Sequence, residues 1–256
     1  MLRANLFGGG LFEAGPRRFL SPAVLAVLLA GCTSAELEYD RMSGTAFPQS
    51  ETVSGSAVTL TSIYLQGELI LSVDEDDTGI AALAGPANPM DPDQYDYITA
   101  AEIETLELAN RGSGITQNTW PCSFWLFSGT CTEYHVYGIV VDHWREYDNG
   151  TRSTTLMGWM YESGDRSAFV NFYKHTINNS DNGKYLRSTA HEIGHAFNLS
   201  HCDGDGSTTI MNQTGTVGDT YSYEFSATGL THLQDHDRNA VWPGIGPRHY
   251  ACPHVH

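Results

Sequence analysis

The chain has little positive charge. Thirteen Lys and Arg stand against 30 Asp and Glu, a formal net charge of −17. Nucleic-acid binding draws on clustered Lys and Arg, so this balance argues against a nucleic-acid partner. Long apolar runs are lacking too. The leader's run, from Phe19 to Ala30, is too short to span a bilayer as a permanent helix. Cysteine is sparse, with Cys32, Cys122, Cys131, Cys202 and Cys252 in 256 residues. A complete EF-hand loop is missing as well. The acidic clusters Asp74–Asp77 and Asp203-Gly204-Asp205-Gly206 offer carboxylates for a low-affinity Ca2+ reading, but neither has the EF-hand spacing.

What is present at the start is a leader. Arg3, Arg17 and Arg18 precede the apolar run, which closes on Leu29-Ala30-Gly31-Cys32. Small residues directly before a cysteine resemble the bacterial lipobox, in which the cysteine becomes the lipidated first residue. Residues 1–31 then read as a lipoprotein signal peptide and Cys32 as the lipidation site. An ordinary secretory signal with an incidental cysteine is the alternative. Each buried acyl CH2 contributes about 0.8 kcal/mol to membrane attachment. The expected location is the bacterial cell envelope, on the outer membrane where the host has one, because Thr33 is not Asp; otherwise the protein is secreted.

Removing Arg3, Arg17, Arg18 and Glu13 leaves 10 basic and 29 acidic residues, a formal charge of −19. Such a charge favours solubility. Residues 32–56 are polar and small, and read as a lipidated cysteine with a flexible tether. Residues 57–256 form one domain of ordinary size. Cys122, Cys131, Cys202 and Cys252 are an even four in an oxidising compartment. Three pairings are open; Cys122–Cys131 would staple a short loop and Cys202–Cys252 would tie down the tail. A free Cys202 near a metal is the other reading.

The central motif is His191-Glu192-Ile193-Gly194-His195, with His201 six residues on. On a helix, His191 and His195 share a face. Glu192 lies about 100° round from His191, placed to reach a water without being a ligand. Imidazole suits zinc, and three protein ligands leave a fourth position open. His201 reaches the same ion only if the chain turns back near residue 198, and Asn198 tolerates the left-handed conformation such a turn needs. Leu186, Ala190, Ile193 and Phe197 form the opposite, apolar face.

This spacing resembles the metzincin signature, H-E-x-x-H-x-x-G-x-x-H followed by a methionine turn. Asn198 stands where the family has glycine, and Cys202 follows the third histidine where the family carries other residues. Thr209-Ile210-Met211-Asn212 is similar to the Met-turn, with Met211 beneath the metal. The resemblance implies an α+β fold: a mixed twisted sheet, an active-site helix, the Met-turn and a C-terminal helix. It implies one catalytic Zn2+ held by His191, His195 and His201. It also implies an endopeptidase that cleaves protein or peptide substrates by a zinc-activated water, with Glu192 as general base. The strand at Thr155–Tyr161 would form the rim of the cleft and hold substrate as an added strand. Two alternatives are a zinc-stabilised binding lipoprotein without turnover and a zinc amidase acting on cell-wall peptides.

The remaining pattern is coarser. Alternation over Ala57–Leu71 predicts a first strand, and Asp74–Asp77 an acidic turn. A helix is expected over Ile98–Ala109. Strands are expected over Trp120–Phe127, Glu133–Trp144, Thr155–Tyr161 and Ser167–Tyr173. The metal helix should begin near Asn182, and a final helix should run from Ala227, capped by Ser226, to about Val241. His232 and His236 on that helix suggest a second metal or, more commonly, a solvated pair.

Overall fold

Residues 33–42, expected to be tether, form an interior strand of the sheet. The computed structural model describes residues 33–80, 97–98, 100–111, 117–124, 127–141, 143–144, 157–160, 168–173, 181–203, 207–213, 217–218, 220–234, 243 and 249–250. The leader, Cys32 and Cys252 lie outside them. The described elements are β1 (Thr33–Met42), β2 (Glu51–Val53), β3 (Ser56–Val58), α1 (Leu60–Leu65), β4 (Ile70–Ile80), β5 (Tyr97–Ile98) and α2 (Ala100–Asn110). They continue with β6 (Gln117–Phe124), β7 (Phe127–Val141), β8 (His143–Trp144), β9 (Gly158–Met160), β10 (Ala168–Phe172), α3 (Asn182–Ala196), β11 (Leu199–Ser200), α4 (Ala227–Gln234) and β12 (His249–Tyr250). The fold is mixed α+β.

The main sheet runs β4-β1-β7-β10-β9, with β6 also paired to β7. β1 is parallel to both β4 and β7, and β10 is parallel to β7. β9 and β6 pair antiparallel, β9 at the edge beside β10. β1 alternates: Ala35, Leu37 and Tyr39 are fully buried, while Ser34, Glu36 and Glu38 fall between them. A period of two with one face buried is a strand. The 32–56 tether is thereby corrected from residue 33 onwards, and the ordered domain includes β1. Polar composition concealed the strand, because every second residue from Ser34 to Asp40 is polar.

Two more expectations change. The stretch 57–71 is not one strand: it holds β3, then α1, then the start of β4. Thr59 and Ser62 form a reciprocal capping box at the head of α1, which supplies otherwise orphaned N–H groups with partners. Leu60, Ile63 and Tyr64 bury at helical spacing. Asp74–Asp77 is not a turn but lies within β4, where Asp74 pairs with Glu38 and Asp76 with Asp40.

The sheet divides two cores. The larger packs Leu37, Tyr39, Tyr64, Val136, Phe169, Ile193 and Phe197 between the sheet, α1 and α3. The smaller, around Ile103, Leu106, Tyr137, Ile139, Val170 and Phe172, lies under α2. On α2, Ile103 and Leu106 are buried and Leu108 is exposed; Ile98, expected in this helix, falls in β5.

Candidate metal centre

The α3 helix starts where Asp181 caps it, its carboxylate accepting from Lys184 N at 3.0 Å. Leu186, Ala190, Ile193 and Phe197 are at most 1% exposed, so the apolar face is buried as its spacing predicts. The helix ends at Ala196, and Asn198 adopts φ +68°, the left-handed turn that its side chain tolerates. β11 follows, and the reversal carries His201 back beside His191 and His195.

The three rings converge. Centroids of His191 and His195 are 4.6 Å apart, His195 and His201 4.6 Å, and His191 and His201 5.0 Å. One nitrogen from each lies within 4.8 Å of the others, a group that could hold a metal ion. The Nε2 atoms of His191 and His195 are 3.1 Å apart. Two nitrogens bound tetrahedrally to one zinc at about 2.0–2.1 Å stand about 3.3–3.4 Å apart, so the pair fits without rebuilding.

Each ring is held from behind. Nδ1 of His191 donates to Ile210 O at 2.7 Å, and Nδ1 of His195 to Leu199 O at 2.7 Å. These carbonyls select the tautomer that presents Nε2 to a metal. The Gln213 side-chain amide lies 3.1 Å from Nδ1 of His201, with an Asp203 carboxylate oxygen at 3.8 Å. Burial, then the neighbouring His195 and His201, hold His191 well below its ordinary pKa. Neutral imidazole is the form that binds metal.

Met211 packs against α3 at Gly194, the residue before His195. A side-chain carbon at Gly194 would lie 2.5 Å from Met211 Sδ, so glycine beside His195 lets the methionine close against the helix. The 209–212 turn is secured by Arg187, which donates from Nη2 to Thr209 O at 2.6 Å and to Asn212 O at 2.7 Å. Cys202 N donates to Met211 O at 3.0 Å. Arg187 precedes His191 by four residues and shares its row on the helix. A charged residue in the buried row was its signal in the sequence.

Glu192 is 6% exposed, and burial pushes its carboxyl up to about 8. It lies against Gly158 of β9: a carbon added at Gly158 would stand 2.8 Å from Glu192 Oε1 and 2.9 Å from Asn171 Nδ2. Neither Gly158 nor Asn171 stood out in the sequence.

Other candidates fare differently. Cys202 is disulfide-bonded, so it is not a free thiol. β11 and β12 pair Leu199 with His249 and Ser200 with Tyr250, an offset of 50 residues that also separates Cys202 from Cys252. In the β6–β7 hairpin Cys122 pairs with Gly129 and Cys131 with Trp120, so these two cysteines are two residues out of register. His232 is neither solvated nor, among the described residues, in a metal group: it is buried, with Nε2 at 2.8 Å from Phe197 O. His236 lies outside the described residues. Asp203 accepts from Gln213 N at 2.8 Å, and the rest of its acidic cluster, Gly204, Asp205 and Gly206, lies outside the described residues.

No protein-family model matches this chain, and no curated protein matches it. Among the described residues, no helix is long and apolar enough to cross a membrane.

Proposed function

We propose that this protein is a zinc-dependent endopeptidase of the metzincin type. The observation that carries the reading is the convergence of His191, His195 and His201 with Glu192 buried beside them. The supporting features are the left-handed Asn198, Met211 packed against α3 at Gly194, and an antiparallel edge strand, β9, beside α3. In the metzincin resemblance that edge receives the substrate as an added strand.

The donor set is three neutral imidazoles, which suits zinc. Zinc supplies a Lewis acid that polarises the scissile carbonyl and acidifies a water. The protein's own groups do the rest. Glu192 takes the water's proton and passes it to the leaving amine. The Ile210 and Leu199 carbonyls keep His191 and His195 in the metal-binding tautomer. Backbone groups along β9 are placed to align an extended peptide across the cleft.

The test is to incubate the purified chain with a peptide library and analyse the products by mass spectrometry, alongside elemental analysis. About one zinc per chain and cleavage of internal peptide bonds are expected. Zinc retained with no cleavage of any peptide would sink the peptidase reading and leave a zinc-stabilised binding protein. Cleavage confined to cell-wall peptides would make it an amidase.

We further propose that Cys32 carries a lipid and holds the protein at the cell envelope, and that Cys202 pairs with Cys252. Cys32→Ser is expected to release the protein from membranes; a wild type recovered without acyl chains would remove the anchor. Non-reducing peptide mapping tests the disulfide, and Cys202 linked to Cys122 or Cys131 would refute it.

A further inference from the structure

Behind Glu192 lies a buried polar group that the mechanism above does not use. Asn171 is in the middle of β10, in a strand whose five residues are all buried. Its Oδ1 accepts from Tyr39 OH at 2.8 Å and from Thr189 Oγ1 at 3.1 Å. Its Nδ2 is buried without a hydrogen-bond partner. An unmet donor in a fully buried site is destabilising, so its presence calls for an explanation.

The location supplies one. Asn171 is the cross-strand partner of Gly158, and Gly158 has no side chain between them and α3. The same point above Gly158 is 2.8 Å from Glu192 Oε1 and 2.9 Å from Asn171 Nδ2. The amide nitrogen and a carboxylate oxygen therefore border the same gap left by glycine, without a hydrogen bond between them in this structure. In this orientation the two hydroxyls donate to the amide oxygen; turned over, the amide would donate to them instead. With the amide turned over, its oxygen would face the carboxylate instead.

We infer that Asn171 is a positioning residue for Glu192: its Nδ2, which has no partner in this structure, closes across the gap onto Glu192 Oε1 and sets the direction in which the carboxylate meets water and leaving amine. Gly158 is glycine because any side chain there would separate the two. Tyr39 and Thr189 hold the amide from the far side, Thr189 being itself anchored to Tyr185 O at 3.1 Å. A base held by one hydrogen bond keeps the geometry that proton transfer needs.

This inference rests on the peptidase reading, and its test has one arm independent of it. Tyr39→Phe is the reference protein. Adding Asn171→Leu replaces the amide with an apolar group of similar size, while the Thr189 hydroxyl keeps Tyr185 O. Against the reference, the double variant should hold the same zinc and keep KM within about two-fold, while kcat falls about 10-fold or more. An unchanged kcat, or a rise in KM alone, would overturn the role. The second arm uses metal-free wild-type protein with labelled asparagine. The Asn171 side-chain amide resonance should be displaced, slow to exchange, and moved by Glu192→Gln. A resonance that ignores Glu192→Gln overturns the contact even if the double variant fails to fold. If wild type cleaves no peptide but the resonance responds, the contact stands and the peptidase reading is what fails.

Discussion

The two faces of the sheet are made from alternate residues of the same strands, and they serve opposite ends. Along β1, Ala35, Leu37 and Tyr39 enter the larger core, and through Tyr39 the strand reaches Asn171 behind Glu192. The residues between them, Glu36, Glu38 and Asp40, meet Ser72, Asp74 and Asp76 of β4 in register. One face excludes water and positions imidazoles. The other carries the smaller core under α2 and, along β1 and β4, gathers like charges, whose carboxylates line a cavity of about 480 Å³ bordered by Glu38, Asp40, Asp74 and Asp76. Histidine shows the contrast most clearly. His191 is buried with other imidazoles and a backbone carbonyl, as a metal ligand requires. His135, on the opposite face, stands between two carboxylates, with Glu36 at 3.2 Å from one ring nitrogen and Glu133 at 3.8 Å from the other. The residue type alone decides neither role.

The largest expected effect lies on the inner face and is chemical. Glu192→Gln should reduce turnover at least about 10²- to 10⁴-fold, with zinc content and melting curve unchanged, because three histidines hold the metal without it. Peptide cleavage within a few-fold of wild type would refute Glu192 as the base. Next is packing. Leu37→Ala should destabilise by about 2–5 kcal/mol in denaturant unfolding, whereas Glu36→Ala, one residue along on the outer face, should cost under about 1 kcal/mol. Equal losses would mean that the faces are not as unlike as described.

Arg187→Met keeps length but leaves the Thr209 and Asn212 carbonyls without their donor. A loss of about 1–3 kcal/mol is expected, with weaker zinc retention against a chelator as the turn loosens. Unchanged retention would separate the turn from the metal group. The smallest effect has the opposite sign. Burial, opposed by the bond from Tyr137 and reinforced by Asp76 and Asp74, raises the Asp40 carboxyl above its ordinary 3.8. The native state then binds the extra proton first, so wild-type stability should rise as pH falls through that raised value, and level off below about 4. Asp40→Asn should be slightly more stable than wild type at neutral pH, by under about 1 kcal/mol. The gain should vanish on acidification and shrink in high salt. A gain that grew at low pH would be the wrong sign.

Much of the site was legible because it obeys local rules. The 191/195 spacing, the turn at Asn198 and the apolar face from Leu186 to Phe197 all follow from one helix and its end. The Ser226 cap followed too: Gly229 N donates to its hydroxyl at 3.0 Å. What escaped was non-local or shared between two periods. Leu60, Ile63 and Tyr64 fit a helix, yet Val58, Leu60 and Tyr64 also fit a strand, and the Thr59–Ser62 cap decides between them. β1 alternates cleanly, but half its residues are polar because β1 has a polar face. Asn171, Gly158 and Gln213 carry no signature, since each matters only for what folding sets opposite it.

The position of β1 also has a consequence in time. It is the first strand of the sheet to be synthesised, yet it is flanked on both sides by later ones. Thr33 pairs with Thr132, so its second neighbour emerges about a hundred residues afterwards, or about 5–20 s at ordinary translation rates. Until then one edge of an alternating strand waits unpaired. Sheet closure, and with it the seat of Asn171 behind Glu192, comes late: β1 and β4 can pair early and build the row of carboxylates, but the face that carries the histidines is complete only after β7, β10 and α3 have been made.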